Sequence, residues 1–196
     1  MDDQELIPHL FRTEFRKITA VLCKFLGMEN LKIAEDIAGE TFLAALETWP
    51  YNGVPKNPEA WLYAVAKNKV KNHINRDTLF IKKIAPEVKG ATPTDTEITI
   101  DLSDKNIADS QLQMLFAICN PAISTEAQIA LALRILCGFG IDEIANAFLT
   151  NKETINKRLY RAKEKLRIEK AAIEMPPCKW TQQKIRNRFN HFVSAF

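Results

Sequence analysis

The chain has 196 residues, of which 46% are hydrophobic and 26% charged, with only 6 glycines and 9 prolines. Its length suits one large or two small domains with ordinary globular cores. The sequence lacks an apolar window of membrane-spanning length, and its acidic start lacks the basic-then-apolar order of a secretory signal. We therefore expect a cytoplasmic protein that does not engage a membrane.

The charge pattern changes sign along the chain, although the net charge is only +3. Residues 1–50 carry 9 acidic and 5 basic side chains, whereas residues 56–76 carry 5 basic and 1 acidic, and residues 142–170 carry 8 basic and 5 acidic. Separate basic regions on a nearly neutral protein indicate contact with a polyanion at some places and with another partner elsewhere. The alternative is that these regions are ordinary solvated helix faces.

Apolar residues recur at spacings of three and four, which predicts helices almost throughout. The first three amphipathic segments cover 6–26, 33–46 and 61–74. We expect the second helix to stop before Trp49-Pro50, because residues 49–58 hold three prolines and a glycine.

The periodicity fades between residues 78 and 108, where prolines, threonines and a slight acidic excess predict a flexible linker. Apolar spacing returns at Leu112, is interrupted by Pro121, and continues from Ile129 to Gly138. The prediction is an all-α fold of two small helical domains. The expected divisions are a first domain over 1–77, the linker over 78–108, a second domain over 109–170 and a tail over 171–196.

Four cysteines, at positions 23, 119, 137 and 178, are scattered without a pair at metal-ligand spacing. The first three lie among apolar residues of predicted helices, so we expect buried thiols, no metal and no cofactor. A metal or redox site is the alternative. The three histidines are far apart, and the sequence contains no nucleophile elbow or glycine-rich phosphate loop. We therefore expect no enzymatic activity and no catalytic residues.

The segment 141–163 reads as a short helix, a turn and a longer basic helix. Thr150 and Glu153 have the spacing of a capping box, which predicts that the second helix begins at Thr150. Its positions divide into an apolar stripe for packing and a basic flank beside it. This arrangement is typical of a helix-turn-helix, whose second helix enters the major groove of DNA. An ordinary helical hairpin with a solvated face is the alternative.

Two groups of motifs, taken together, resemble the extracytoplasmic-function group of sigma-seventy-type RNA polymerase sigma factors. The first comprises Ala34-Glu35-Asp36, Glu40-Thr41-Phe42, Trp49-Pro50, Gly53, Pro55, Asn57-Pro58 and Ala60-Trp61-Leu62. The second comprises Asp109, Leu112, Leu115-Phe116, Pro121, Ala130-Leu131, Leu133-Arg134, Glu143-Ile144-Ala145, Arg158-Leu159 and Arg161-Ala162-Lys163.

The chain also departs from that family. Gly39 lies where the family usually carries a hydrogen-bonding side chain. Ile118 and Asn120 replace the Cys and His that often flank Cys119 in the most similar subgroup. That subgroup continues into a long repeat-like extension, which we interpret as absent or truncated here. For the tail, Ile185, Phe189, Phe192 and Phe196 recur at helical spacing and predict a helix after Pro176-Pro177.

The resemblance implies a sigma factor that binds core RNA polymerase, recognises promoter DNA and initiates transcription. Its partners would be core polymerase, promoter DNA in duplex and single-stranded form, and an anti-sigma or other regulator. The implied polymerase contacts are Asp36 and Glu40. The implied minus-ten contacts are Tyr51, Asn52, Lys56, Asn57, Lys67, Asn68, Lys71, Asn72 and Arg76. The implied minus-thirty-five contacts are Lys152, Thr154, Lys157, Arg158, Arg161 and Lys165.

Two other interpretations remain open. A helix-turn-helix regulator that acts without core polymerase would use the same second domain. A helical interaction protein would leave the basic faces merely solvated. For Trp61, stacking on a base and packing in the core are both open, because it lies on the apolar stripe of its helix.

Overall fold

The computed structural model describes residues 3–84, 100–171 and 173–174, with side chains for 6–76, 100–171 and 173–174. These residues form α-helices and no strand, which confirms the predicted all-α fold. In the described part, no helix is both long enough and apolar enough to cross a membrane. The helices are α1 (Asp3–Leu26), α2 (Leu31–Asn52), α3 (Pro58–Ile84), α4 (Asp104–Ile118), α5 (Thr125–Ala132), α6 (Ile141–Ala147) and α7 (Lys152–Ile168).

Helices α1, α2 and α3 form a bundle in which α1 packs on α2 and α2 packs on α3. The predicted apolar stripes provide its core, with Ile18 and Leu22 of α1 and Leu62 of α3 fully buried. Each such side chain contributes roughly 1.5–3 kcal/mol by leaving water. Burial of these stripes therefore holds the bundle together.

A buried carboxylate joins α1 to α3. Glu14 is only 1% exposed; it accepts hydrogen bonds from the Lys17 ammonium at 2.7 Å and from the Tyr63 hydroxyl at 2.5 Å. Burial and the hydrogen bond to Glu14 raise the pKa of Tyr63. A buried charge is tolerated when its oxygens are satisfied in this way, and the network fixes how α3 lies against α1.

The prediction that the second helix stops before Trp49-Pro50 is wrong. Helix α2 continues through both residues to Asn52. The Gly53 N–H still donates to the Trp49 carbonyl at 2.9 Å, and the φ of 78° at Gly53 then ends the helix. Trp49 is buried and its ring lies 5.4 Å from that of Trp61 in an edge-on arrangement. This packing keeps the last turn helical despite Pro50. The prediction from sequence gave too much weight to the local cost of that proline.

Helices α3 and α4 extend into both ends of the predicted linker, to Ile84 and from Asp104. Helix α4 begins at its N-cap Ser103, whose hydroxyl accepts from the Asn106 N–H. Helix α4 packs mainly on α1 and makes fewer contacts with α5. The domain boundaries themselves stay a prediction.

Three polar contacts connect the α1–α3 bundle to later parts of the chain. The Arg16 guanidinium donates to the Leu136 carbonyl at 2.9 Å, and the Lys24 ammonium donates to the Asn106 side chain at 2.9 Å. The Lys163 ammonium lies 2.6 Å from a carboxylate oxygen of Glu35. An ion pair therefore connects α7 to α2, and both of its side chains are half-buried.

After α5 the chain makes a π-helical turn over Leu133–Cys137 and then bends at Gly138, whose φ is 74°. The wider turn rotates the positions that follow it relative to a regular helix. Cys137, the last residue of this turn, is exposed, which corrects the prediction of a buried thiol there. Cys23 is buried as predicted, whereas Cys119 is half-buried. Cys178 and the predicted helix after Pro176-Pro177 lie outside the described residues.

Candidate nucleic-acid interface

Helices α6 and α7 are joined by residues 148–151, and each begins with a defined local bond. The Gly140 N–H donates to the Glu143 carboxylate at 2.6 Å before α6. At α7, the Asn151 side chain accepts from the Thr154 N–H at 2.8 Å. Asn151 rather than Thr150 is therefore the N-cap. The predicted Thr150 start is off by one residue because the Thr150 N–H instead donates to the Ala145 carbonyl.

The predicted apolar stripe anchors α7. Ile155, Leu159, Ala162 and Leu166 are all buried, and the helix packs on α5 and α6. Because residues three and four apart share a face, this burial turns the adjoining basic flank outward.

A groove with a volume of about 440 Å³ runs between α7 and the start of α5. One side is lined by Ala122, Ile123, Ser124 and Ala127. Five of the six predicted duplex-contacting residues line its other side: Thr154, Lys157, Arg158, Arg161 and Lys165. The structure thus brings these side chains together along one groove.

Arg158 differs from the other cations because the protein itself holds its guanidinium. One nitrogen lies 3.0 Å from a Glu126 carboxylate oxygen, and the guanidinium carbon lies 5.2 Å above the Phe148 ring. Its Nη1 atom is buried without a hydrogen-bond partner among the described residues. Arg158, which lines the groove, is therefore attached to the protein through its other nitrogen and its guanidinium plane, while its buried Nη1 has no partner.

The remaining cations of α7 fall into two groups. Lys157, Arg161 and Lys165 are exposed and make no ion pair with any residue the structure describes. Lys152, by contrast, lies 2.5 Å from Asp142, and both side chains are more than half exposed. Exposed, unpaired cations along one helix face are suited to phosphate oxygens, since they lose no internal partner on binding.

All nine residues predicted to contact the minus-ten element are exposed. They occupy the end of α2, the loop that follows, and the outward face of α3. Tyr51 is 88% exposed, and Asn57 also caps α3 by accepting from the Ala60 N–H at 3.0 Å. Together they offer cations, amides and one aromatic ring to solvent, the side-chain types that hold unstacked bases and a phosphate backbone.

Trp61 is half-buried and packs against the hydrophobic core beside Trp49. Much of the ring is therefore engaged in packing. The Trp49 indole nitrogen is buried and has no hydrogen-bond partner in the described part of the chain. The tryptophan pair thus fixes the end of α2 against the start of α3, close to the exposed minus-ten residues.

The two predicted polymerase contacts, Asp36 and Glu40, are exposed on α2 one turn apart. Glu40 lies 3.1 Å from the Lys69 ammonium of α3. An exposed pair of this kind contributes little to stability, so Glu40 can exchange Lys69 for another partner at small cost. Neighbouring Glu35 is instead occupied by Lys163.

The sequence interpretation missed Glu126 and Phe148, the two residues that hold Arg158. Ser124, whose hydroxyl accepts from the Ala127 N–H at 3.4 Å, signals where α5 begins and thus places Glu126 in its first turn. No sequence signal places that turn against α7, because they lie about 30 residues apart in the chain. The pairing comes from tertiary packing.

Comparison with known proteins supports an assignment for the first bundle. Residues 10–79 match the family model of Sigma-70 region 2. The chain is also 33% identical over 149 residues to an uncharacterized protein of Rhizobium meliloti (strain 1021). That alignment covers 75% of this chain but 35% of the relative, so the chain spans about a third of the relative's length.

The matched segment includes most of α1, all of α2 and α3 up to residue 79, and therefore every residue predicted to contact polymerase or the minus-ten element. The segment from residue 80 onwards, including the α7 groove, lies outside the family match. Residues 10–79, and hence most of the α1–α3 bundle, are similar to region 2 of the sigma-70 proteins.

Proposed function

We propose that the chain is a sigma factor of the extracytoplasmic-function type, which binds core RNA polymerase and directs promoter recognition and transcription initiation. The observation that carries the proposal is the match of residues 10–79 to Sigma-70 region 2. We further propose that it acts in the cytoplasm without catalytic chemistry of its own, under control of an anti-sigma or other regulator.

In this proposal the first bundle captures the minus-ten element as a separated strand. Lys56, Lys67, Lys71 and Arg76 supply cations for the phosphate backbone, and the neighbouring asparagines and Tyr51 supply groups that meet an unstacked base. Support comes from their shared exposure within the family-matched segment. Base stacking on an aromatic ring contributes roughly 1–3 kcal/mol, so Tyr51, which is 88% exposed, is the strongest single candidate.

Core polymerase would bind the α2 face that carries Asp36 and Glu40. Reversing both charges should abolish co-purification with core polymerase and leave the circular dichroism spectrum helical. The matched control reverses Glu59 and Asp109, which are also exposed acids but lie on α3 and α4. Association that survives the first reversal, or is lost equally in the control, would contradict this face.

The second half of the chain would bind the minus-thirty-five element as duplex DNA, with α6 and α7 acting as a helix-turn-helix. The α7 groove supports this role, because Thr154, Lys157, Arg158, Arg161 and Lys165 line it together. Early residues of such a helix contact base edges and later cations contact phosphates.

Run-off transcription with core polymerase, with and without the chain, tests the proposal directly. A promoter-specific transcript that depends on the chain is the expected result. The second candidate is a helix-turn-helix regulator that works without polymerase, which the α7 groove also suits. Tight, sequence-specific gel shifts by the isolated chain together with no transcript would favour that candidate.

A further inference from the structure

A second cavity, which shares no lining residue with the α7 groove, lies between α1 and the π-helical turn. Its volume is about 290 Å³. Arg12, Arg16 and the rings of Phe11 and Phe15 line it from α1, and Arg134 lines it from the π-helical turn. The three arginines of the cavity therefore come from two segments more than 100 residues apart.

The charge of this cavity is strongly positive and unbalanced. Lys163 and Glu35 also line it, but they form an ion pair with each other at 2.6 Å. Arg12, Arg16 and Arg134 have no carboxylate partner within the described ranges. Three arginines around one concavity repel one another, and an anion bound among them would relieve that repulsion.

Backbone bonds hold two of these guanidinium groups in place. Arg16 donates from Nε to the Arg12 carbonyl at 2.8 Å and from Nη1 to the Leu136 carbonyl at 2.9 Å. Arg134 donates from Nη1 to the Phe139 carbonyl at 3.0 Å. Each arginine keeps N–H donors in excess of these bonds, because a guanidinium carries five. The donors are thus pre-oriented, which lowers the entropy cost of binding.

Gly138 makes this geometry attainable. Its φ of 74° suits glycine, and a Cβ there would lie 3.1 Å from Cδ and 3.3 Å from Nε of Arg16. The Arg16 side chain consequently lies directly against the Gly138 backbone on its way to the Leu136 carbonyl. The fit between α1 and the turn is therefore specific rather than a loose contact.

We propose that this cavity binds a small phosphorylated molecule and that binding stabilises the packing of α1 against the π-helical turn. Arginine forks match phosphate oxygens in bidentate geometry. Phe11, which is 46% exposed, offers an apolar ring to the rest of the ligand. The volume is at the lower end of ligand pockets, so it suits a phosphate with a small organic part. Because Arg12 and Arg16 lie on α1 and Arg134 lies on the π-helical turn, the ligand binds only when these two segments are packed together.

Thermal unfolding of the full chain tests the proposal, with inorganic phosphate, pyrophosphate and AMP as probes at constant ionic strength and chloride as the reference anion. At least one probe should raise the melting temperature saturably, as a ligand of the folded state does. The comparison among the three probes shows whether phosphate alone suffices or the organic part is needed. No saturable shift with any of them at millimolar concentration would overturn the proposal.

Arg12→Gln is the informative variant. The Arg12 guanidinium makes no hydrogen bond or ion pair with any residue that the structure describes, so we expect its loss to leave folding intact. The substitution should weaken probe binding about tenfold, the loss expected for one charge-assisted hydrogen bond. Arg134→Lys, which keeps the charge but loses the fork, should weaken it less. Lys32→Gln removes one exposed cation on α2 and should leave binding unchanged.

Equal weakening by Lys32→Gln and Arg12→Gln would mean general electrostatic attraction and would contradict a built site. Duplex DNA is the other polyanion to consider. If Arg12→Gln weakened non-sequence-specific duplex binding while phosphate probes bound as before, the arginines would serve the DNA backbone and the proposal would fail.

Discussion

Arg158 has two competing roles, and substitution of its partner Glu126 separates them. In the free chain Arg158 is paired with Glu126 at 3.0 Å and stacked on Phe148 at 5.2 Å. As the predicted reader of the upstream promoter element, it must instead direct its guanidinium to a base. Glu126→Gln removes the carboxylate that pairs with Arg158, which lines the groove, without changing side-chain size.

The structure sets the size of each effect. The side chains of Arg158 and Glu126 are 23% and 65% exposed, so their ion pair contributes roughly 0.2–1 kcal/mol to folding. The contact with Phe148 adds about 0.5–1 kcal/mol. Arg158→Ala should therefore lower the free energy of unfolding by about 1–2 kcal/mol, and Glu126→Gln by less than about 1 kcal/mol.

Urea denaturation followed by circular dichroism measures these losses, and the double variant gives the coupling energy. Duplex binding should respond differently. Glu126→Gln should tighten binding about two- to fivefold, because one repulsive charge beside the phosphates is lost. Arg158→Ala should cost roughly 1–3 kcal/mol at the preferred upstream element and relax its sequence preference.

Lys165→Ala is the matched comparison on the same helix: it should weaken all duplexes alike and flatten the salt dependence by about one unit of slope. Arg167→Ala, whose partner is Glu164 outside the groove, serves as the control for charge. A role of Arg158 in DNA binding is refuted if Arg158→Ala lowers the free energy of unfolding by about 1–2 kcal/mol while neither it nor Glu126→Gln changes duplex binding. Arg158 would then be a purely structural residue.

Three further predictions concern the core and backbone. Leu159→Asp should lower the free energy of unfolding by about 3 kcal/mol or more, since it buries an unpaired charge, whereas Leu159→Asn as a neutral control should cost less in the same denaturation assay. Gly39→Ala should stabilise the chain by about 0.5–1 kcal/mol, because the position is helical and no atom lies within 4 Å of an added Cβ. Gly53→Ala should destabilise it, because the φ of 78° there disfavours a side chain. Similar effects of both substitutions would contradict these backbone effects. Burial first, then the negative charges of Glu35 and Glu29, raises the pKa of Cys23 to about 12. In variants that retain a single cysteine, Cys23 should resist a thiol reagent at pH 8 until the chain unfolds, and Cys137 should react at once; equal rates would refute its burial.

The same shift predicts a pH dependence of stability. The thiol of Cys23 ionises near pH 8.5 when unfolded and near the raised value when folded. The unfolded state therefore loses its proton first, so the Cys23 contribution is complete below about pH 8.5 and is lost as pH rises toward the folded pKa. In urea denaturation at several pH values across this range, the free energy of unfolding should fall less for Cys23→Ala than for the unchanged chain.

The helical fold and the packing face of α7 could be predicted from sequence, because both depend on the spacing of apolar residues along one helix. The stripe at Ile155, Leu159, Ala162 and Leu166 follows from the 3.6-residue period and is buried as expected. The basic flank beside it follows from the same geometry. Local capping was predicted less well, since Thr150 and Asn151 are both good N-caps and the choice depends on the bond from the Thr150 N–H to Ala145.

Tertiary structure alone decided which charged groups meet. The pairings of Arg158 with Glu126 and of Lys163 with Glu35 join segments 32 and 128 residues apart, and nothing in the local sequence specifies them. Packing also decided that Trp49 stays helical beside a proline and that Cys137, at the end of the π-helical turn, is exposed. Helix period is a property of neighbouring residues, whereas the partner of a side chain depends on how whole helices pack, so the sequence predicts the first and not the second.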